Sequence, residues 1–349
     1  MFEKKKFYIG LLILLVFVTN YQLIAQDKED EVIKVTTSLV NIPVIVSDRN
    51  GRYIAGLQTE NFTVLEDGKL QKIEYFASEE SPINIAILLD TSKSTKEVLG
   101  KIKKAAREFL KQLQPTDKAM IVSFDDDVEV LSELTADRKT LDKAIKNAEI
   151  GKRVGTVMQD AVYEVVDKKF ANLKGRKAII MLTDGKDFGS YVTKTDLLYR
   201  LEESDTLVYS IFYETGNIQV RQNNRLPNII FPNPNRRGRM GRQQRRQNPF
   251  PENFPRPSID RINERNRIEN EFAVEFLEKI ADSTAGRVYQ KNVKDLDETF
   301  KLIADELRKQ YLIGYYPEAA EEAKTTHQVK VRVNKENVVV RAKNSYRSK

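Results

Sequence analysis

Apolar and polar positions change their period several times along this chain, and those changes divide it. Between residues 33 and 46, Ile33, Val35, Ile42, Val44 and Val46 recur at spacings that suit strands with one buried face, and Asp48-Arg49-Asn50-Gly51 reads as a turn. Phe62-Thr63-Val64-Leu65 and Lys72-Ile73-Glu74-Tyr75-Phe76 flank a second turn, Glu66-Asp67-Gly68-Lys69, whose Asp-Gly step is a strong hairpin signal. Residues 33–76 therefore predict four or five short strands belonging to a small β-sandwich.

From residue 83 the pattern is different. The stretch INIAILLDTSKS (83–94) is apolar almost without interruption and stops abruptly at Asp90. An unbroken run suits a strand buried on both faces of a parallel sheet. Beyond it Val98, Ile102, Ala105, Ala106, Phe109, Leu110 and Leu113 form one helical stripe, and Pro115 ends it. Strands are predicted at 119–124, 177–182 and 207–213, with helical stretches at 141–148, 157–170 and 195–203 between them. Repeated βα units of this kind imply an α/β fold with a doubly wound, mainly parallel sheet.

The periodicity breaks at residue 216 and resumes near Ile268. Phe272, Val274, Phe276, Leu277 and Ile280 then mark a helix that Gly286 is expected to stop; Val288-Tyr289 makes a short strand and 296–309 a last long helix. Residues 327–333 and 337–342 alternate again. Because they share the period of the first segment, they are expected to pair with it. The predicted organisation is a leader at 1–25, a sandwich from 33–80 plus 326–343, an α/β domain at 83–318, and a flexible insert at 216–270 within that domain.

Composition alters this picture in three places. Lys4, Lys5 and Lys6 precede an apolar run from residue 7 to 18, and small Ala25 precedes a charged stretch, which describes a secretory signal cleaved after Ala25. The run is short for a membrane span, the competing reading. The chain is thus expected to be secreted, or to face the periplasm or outer surface, with no stable membrane span after cleavage. Secondly, the chain has no cysteine, which excludes disulfides, thiol nucleophiles and zinc-thiolate sites, and its one histidine, His327, reads as a strand residue. Thirdly, the formal charge of +7 is concentrated: residues 216–270 hold twelve arginines against four carboxylates, a net +8, together with seven of the 11 prolines. Such a segment forms no packed core. It could bind a polyanion, or simply project as a solvated linker; widely spaced Phe231, Phe250 and Phe254 give no base-stacking platform, so no specific nucleic acid is expected.

The candidate chemistry lies at the ends of the apolar strands. Asp90, Ser92 and Ser94 form a DxSxS spacing after the first, Asp184 closes the third, and Thr156 opens a helix between them. In a parallel sheet these loops share the carboxyl edge, where ligands bind. Two carboxylates and three hydroxyls are hard donors suited to Mg²⁺, Ca²⁺ or Mn²⁺. The alternative is that Asp90 and the serines only cap a helix. An aspartyl phosphotransferase would need a second carboxylate two positions after Asp90, where Ser92 stands.

In these residues the chain resembles a von Willebrand factor A domain with a metal-ion-dependent adhesion site, whose motif is DxSxS, a distant Thr and a distant Asp. Asp90, Ser92, Ser94, Thr156 and Asp184 match it in order. More narrowly it resembles the bacterial secreted "VWFA-related" proteins called acidobacterial-type, through Asn61-Phe62-Thr63-Val64, Glu66-Asp67-Gly68, Gln71-Lys72-Ile73, the 156–161 segment with Asp160, Leu312-Ile313-Gly314-Tyr315-Tyr316 with Pro317, and His327. It departs from the pattern at Lys93, Thr95 and Val154, where Gly, Met and Gly are common. The resemblance implies a binding module, not an enzyme, in which the ion bridges to a carboxylate of a protein or cell-surface ligand.

Overall fold

The computed structural model describes residues 39–78, 81–214, 259–290, 296–317 and 324–348. The expected leader, the strand positions before residue 39, and the insert up to residue 258 with its polyanion reading lie outside the described residues.

The first described strands are β1 (Val40–Asp48), β2 (Phe62–Glu66), β3 (Lys69–Gln71) and β4 (Ile73–Ala77). β2 and β3 form the expected hairpin. Asp67 and Gly68 both take positive φ at its turn, 46° and 83°, as a two-residue Asp-Gly connection requires.

The central sheet follows: β5 (Ile83–Asp90), β6 (Lys118–Phe124), β7 (Val128–Thr135), β8 (Arg176–Thr183), β9 (Leu207–Phe212) and β10 (Arg287–Gln290). Its order is β10-β9-β8-β5-β6-β7, parallel throughout except for β7. The helices are α1 (Leu99–Leu110), α2 (Arg138–Asn147), α3 (Met158–Glu164), α4 (Lys194–Glu202), α5 (Ile259–Thr284) and α6 (Leu296–Arg308). Ile85, Ile87 and Leu89 pack on one side with Ile102, Phe109, Leu141 and Phe300 from α1, α2 and α6. Ala86 and Leu88 pack on the other with Met158, Val162, Leu197 and Leu277 from α3, α4 and α5. Both faces of β5 are covered, which is why its sequence does not alternate. Burying each such Ile or Leu side chain contributes about 1.5–3 kcal/mol.

The late strands β11 (Gln310–Tyr315), β12 (Thr326–Val333), β13 (Val338–Ala342) and β14 (Ser345–Arg347) return to the start of the chain. They complete two four-stranded sheets, β13-β1-β11-β4 and β14-β12-β2-β3. Ile42, Val44 and Val46 of β1 meet Val64, Tyr311, Ile313 and Val329 in one core between these sheets. The ring of Phe62 lies 5.2 Å from that of Tyr311 and 5.6 Å from that of Phe76.

Four features differ from the sequence reading. β11, grouped above with the α/β segment, pairs with β1 and β4 and sits inside the sandwich sheet. Its run is unbroken because both its faces are buried, so its period could not distinguish the two neighbourhoods. β7 was not anticipated: Glu129 and Glu133 interrupt its apolar residues, as suits a half-exposed edge strand with irregular register to β6. α5 begins at Ile259, so residues 259–270 of the expected flexible insert are helical. There Arg267 pairs with Glu264 and Glu271, and Arg265 with Glu269, at helical spacing. Such exposed pairs are screened by solvent and add little; the helix is carried by its buried continuation through Ala273, Phe276 and Leu277. Gly286 is not the left-handed stop. Ala285 takes that conformation, φ 60°, while a Cβ on Gly286 would meet the Val208 carbonyl oxygen at 1.8 Å.

Candidate metal centre

The parallel register of β5 and β8 aligns Leu89 with Leu182, so Asp90 and Thr183 end neighbouring strands at the carboxyl edge. Thr183 Oγ1 donates to Asp90 Oδ2 at 2.9 Å, and the Ser92 amide donates to Asp90 Oδ1 at 3.0 Å. A short 3₁₀ turn over Lys93–Thr95 follows. Thr95, fully buried, donates from Oγ1 to the carbonyls of Asp90 and Ser92, 3.0 and 2.8 Å away. That bond folds the loop back and sets the Ser92 and Ser94 hydroxyls 2.9 Å apart.

Thr156 arrives on another loop, tied to both neighbours through backbone. The Gly151 amide donates to the Thr91 carbonyl at 2.9 Å, and the Val157 amide to the Asp125 carbonyl at 2.8 Å. Thr156 and Phe188 exchange amide-to-carbonyl bonds of 3.1 and 2.8 Å, joining this loop to the one that follows Asp184. Only glycine fits at 155, since a Cβ there would lie 2.7 Å from Asp126 Cβ. The Thr156 hydroxyl donates to the Gly155 carbonyl at 2.8 Å. Asp184 accepts the Lys186 amide at 3.2 Å, and Gly185 beside it turns at φ 70°. Asp90, Ser92 and Ser94 are thus linked directly or through one bond, Asp184 faces Asp90 electrostatically, and Thr156 sits on an adjacent, stitched loop.

Burial dominates the electrostatics. Asp90 and Asp184 are both fully buried. Desolvation first, and the Asp184 charge second, push the Asp90 carboxyl up to about 7. Tyr213, just beyond β9, is also buried, and its phenol is pushed well above its ordinary value by burial and then by the charges of Asp90 and Asp184. Its hydroxyl makes no hydrogen bond among the described residues. Two buried carboxylates, with Asp90 made harder to ionise by burial and by the charge of Asp184 and with hydroxyls beside them, form a donor set that a hard divalent cation would satisfy. The residues fit such an ion.

The sequence reading missed Thr183, Thr95 and Tyr213, and treated Asp160 only as part of a resemblance. Asp160 accepts the amides of Tyr191 and Val192 at 3.0 and 2.8 Å, and Asp187 accepts that of Gln159 at 2.9 Å. These bonds shape the loop after Asp184 and leave Phe188 73% and Tyr191 95% exposed, with Val154 73% exposed on the Thr156 loop. Two aromatics in a polar loop after Asp184-Gly185 were the available signal.

Residues 85–186 match the family described as von Willebrand factor type A domain, a span that contains all five candidate ligands. Among solved structures the chain is similar to the conserved hypothetical protein BatB from Bacteroides thetaiotaomicron, at 18% identity over 64% of this chain and 97% of that one, TM-score 0.43. It is similar to a von Willebrand factor type A protein from Catenulispora acidiphila at 13% identity, over 89% and 73% of the two chains, TM-score 0.44. A third is proximal thread matrix protein 1 from the mussel byssus, described with a zinc-occupied MIDAS motif, at 15% identity over 65% and 48%, TM-score 0.42. No curated protein matches the chain.

Proposed function

We propose that this chain, whose residues 85–186 match the von Willebrand factor type A domain, is an exported binding and adhesion module, not an enzyme, of the secreted bacterial type that its sequence resembles. Asp90, Ser92, Ser94, Thr156 and Asp184 would hold Mg²⁺, or Ca²⁺ or Mn²⁺, and a carboxylate of a protein or surface ligand would complete the ion's coordination. When bound, the ion supplies positive charge to a buried acidic pair and an electrophilic contact for an incoming anion. The observation that carries this reading is the burial of Asp90 against Asp184 at the carboxyl edge, with the two serine hydroxyls alongside. Exposed Val154, Phe188 and Tyr191 on the adjoining loops offer apolar surface for the remainder of a protein ligand. Export is proposed from the leader that the sequence of residues 1–25 leads one to expect. Among the described residues no helix is long and apolar enough to cross a membrane.

The test is calorimetric titration of Mg²⁺, Mn²⁺ and Ca²⁺ into the chain, with and without an acidic peptide, beside Asp90→Ala and Asp184→Asn. Saturable binding that both variants lose and that the peptide strengthens is the expected result. Equal binding by wild type and variants would place the ion elsewhere and overturn the reading.

A further inference from the structure

A second group of metal-ligating side chains lies away from that centre, on the sandwich. Glu66 ends β2, Asp67 is the first residue of the β2 to β3 turn, and His327 lies near the start of β12. β12 pairs with β2 so that Val329 faces Glu66, and it runs on past the turn to bring His327 beside it. The Asp67 amide donates to the Gln328 carbonyl at 2.9 Å, and the Gln328 amide returns a bond to Asp67 Oδ1 at 2.9 Å. The turn and the neighbouring strand are therefore locked together.

His327 and Val329 are two apart on one strand, so they share a face with Glu66, and that face looks into the sandwich core. The imidazole stacks on the ring of Tyr346, centroids 5.3 Å apart and 21° between planes. This stacking directs Nδ1 at both carboxylates, 2.9 Å from Asp67 Oδ2 and 3.8 Å from Glu66 Oε1. Nε2 is buried without a hydrogen-bond partner among the described residues. Side-chain exposure is 17% for His327, 10% for Glu66 and 50% for Asp67. The imidazole and the Glu66 carboxylate are thus held within the protein, and the Asp67 carboxylate opens to water.

All three donor atoms lie within 4.8 Å of one another. Two ligands held about 2.0–2.2 Å from one ion, at tetrahedral or octahedral angles, are separated by about 2.9–3.5 Å. The two observed separations from Nδ1 bracket that range, and the Glu66 and Asp67 oxygens lie within 4.8 Å of each other, so side-chain adjustment would seat an ion. One imidazole and two carboxylates form a mixed nitrogen and oxygen set, which favours Zn²⁺, Co²⁺ or Mn²⁺ over Mg²⁺.

We propose that Glu66, Asp67 and His327 form a second divalent-metal site, selective for zinc-like ions, which clasps the β2 to β3 turn onto β12 with its open coordination positions filled by water. The site is chemically distinct from the all-oxygen centre at Asp90. Because Nε2 lacks, among the described residues, the outer partner that usually supports a metal-bound imidazole, binding is expected to be about 10–100-fold weaker than at a site that has one.

His327 is the chain's single histidine, so its ring can be observed alone. The experiment is a titration of Zn²⁺ into the untagged full chain carrying ¹⁵N-labelled histidine, followed by NMR of the imidazole nitrogens. Saturable displacement of the Nδ1 resonance is expected. Asp67→Asn and Glu66→Gln should each raise the half-saturating Zn²⁺ at least tenfold, while Asp184→Asn leaves it unchanged. Circular dichroism and the shifts of Tyr346 show whether each variant keeps the fold; Asp67, half exposed, is the substitution least able to disturb it. Imidazole resonances that stay in place up to millimolar Zn²⁺, or that move equally in the Asp67 variant, would overturn the proposal and leave the group as a hydrogen-bonded turn.

Discussion

Asp90 is the residue on which the candidate centre depends, and it is more deeply placed than a loop-edge ligand. It is wholly buried at the end of β5, and its carboxyl is raised to about 7. In the unfolded chain the same carboxyl ionises near pH 3.9. Between those values the folded state holds the extra proton, so the stability of the metal-free protein falls as pH rises from about 4 to 7. Asp90→Asn removes this dependence. In chelator the variant is expected to be more stable than wild type at pH 8, by on the order of 2–4 kcal/mol, and to match it near pH 4. Urea unfolding at the two pH values measures the difference. Saturating Mg²⁺ should reverse the order at pH 8, since an ion bound only by the folded wild type stabilises it by mass action. Asp90 and its partners Ser92 and Ser94 were legible as a spacing. Thr95 and Thr183 were not, because a threonine that bonds a carbonyl or carboxylate has no periodic signature.

At the level of elements, the turn from α5 into β10 shows how a sequence rule can name the right place and the wrong residue. A glycine after a helix ordinarily supplies the left-handed residue. Here Ala285 adopts φ 60°, and Gly286 is needed because the backbone of Val208 passes too near for any side chain. Ala285→Gly relieves that strain but removes a methyl group buried in the core, so it is expected to change stability by less than about 1 kcal/mol, whereas Gly286→Ala displaces β10 from β9 and costs about 3 kcal/mol or more. Thermal midpoints check this: that of Gly286→Ala should fall well below wild type, while that of Ala285→Gly stays near it. The helical start of α5 has a related origin. Its arginines and glutamates are spaced three and four apart, but the surrounding Pro, Asn and Gln content masked that periodicity.

The whole molecule is bolted at Glu306 of α6, which is fully buried. Tyr209 of β9 donates to its Oε1 at 2.6 Å, Tyr53 of the β1 to β2 connection donates to its Oε2 at 2.5 Å, and Arg341 of β13 forms an ion pair with Oε1. One carboxylate thus joins the parallel sheet to both ends of the sandwich. Glu306→Ala leaves the Arg341 charge buried without its partner, and a loss of about 3–5 kcal/mol is expected. Chemical denaturation tests this. Arg341→Met with Glu306→Leu should recover most of the loss, because the uncompensated charge is then gone.

What the sequence determined by itself was local: the unbroken apolar runs of the parallel strands, the alternation of the sandwich strands, the Asp-Gly hairpin, and the order of Asp90, Ser92, Ser94, Thr156 and Asp184. Each follows from a residue's own chemistry and its nearest neighbours along the chain. Tertiary structure decided whatever depends on partners distant in sequence. It moved β11 into the sandwich, stitched Thr156 to Phe188, buried Tyr213 against two carboxylates, and brought His327 across 260 positions to Asp67. Periodicity records how much of a side chain is covered, and it holds no information about which segment covers it.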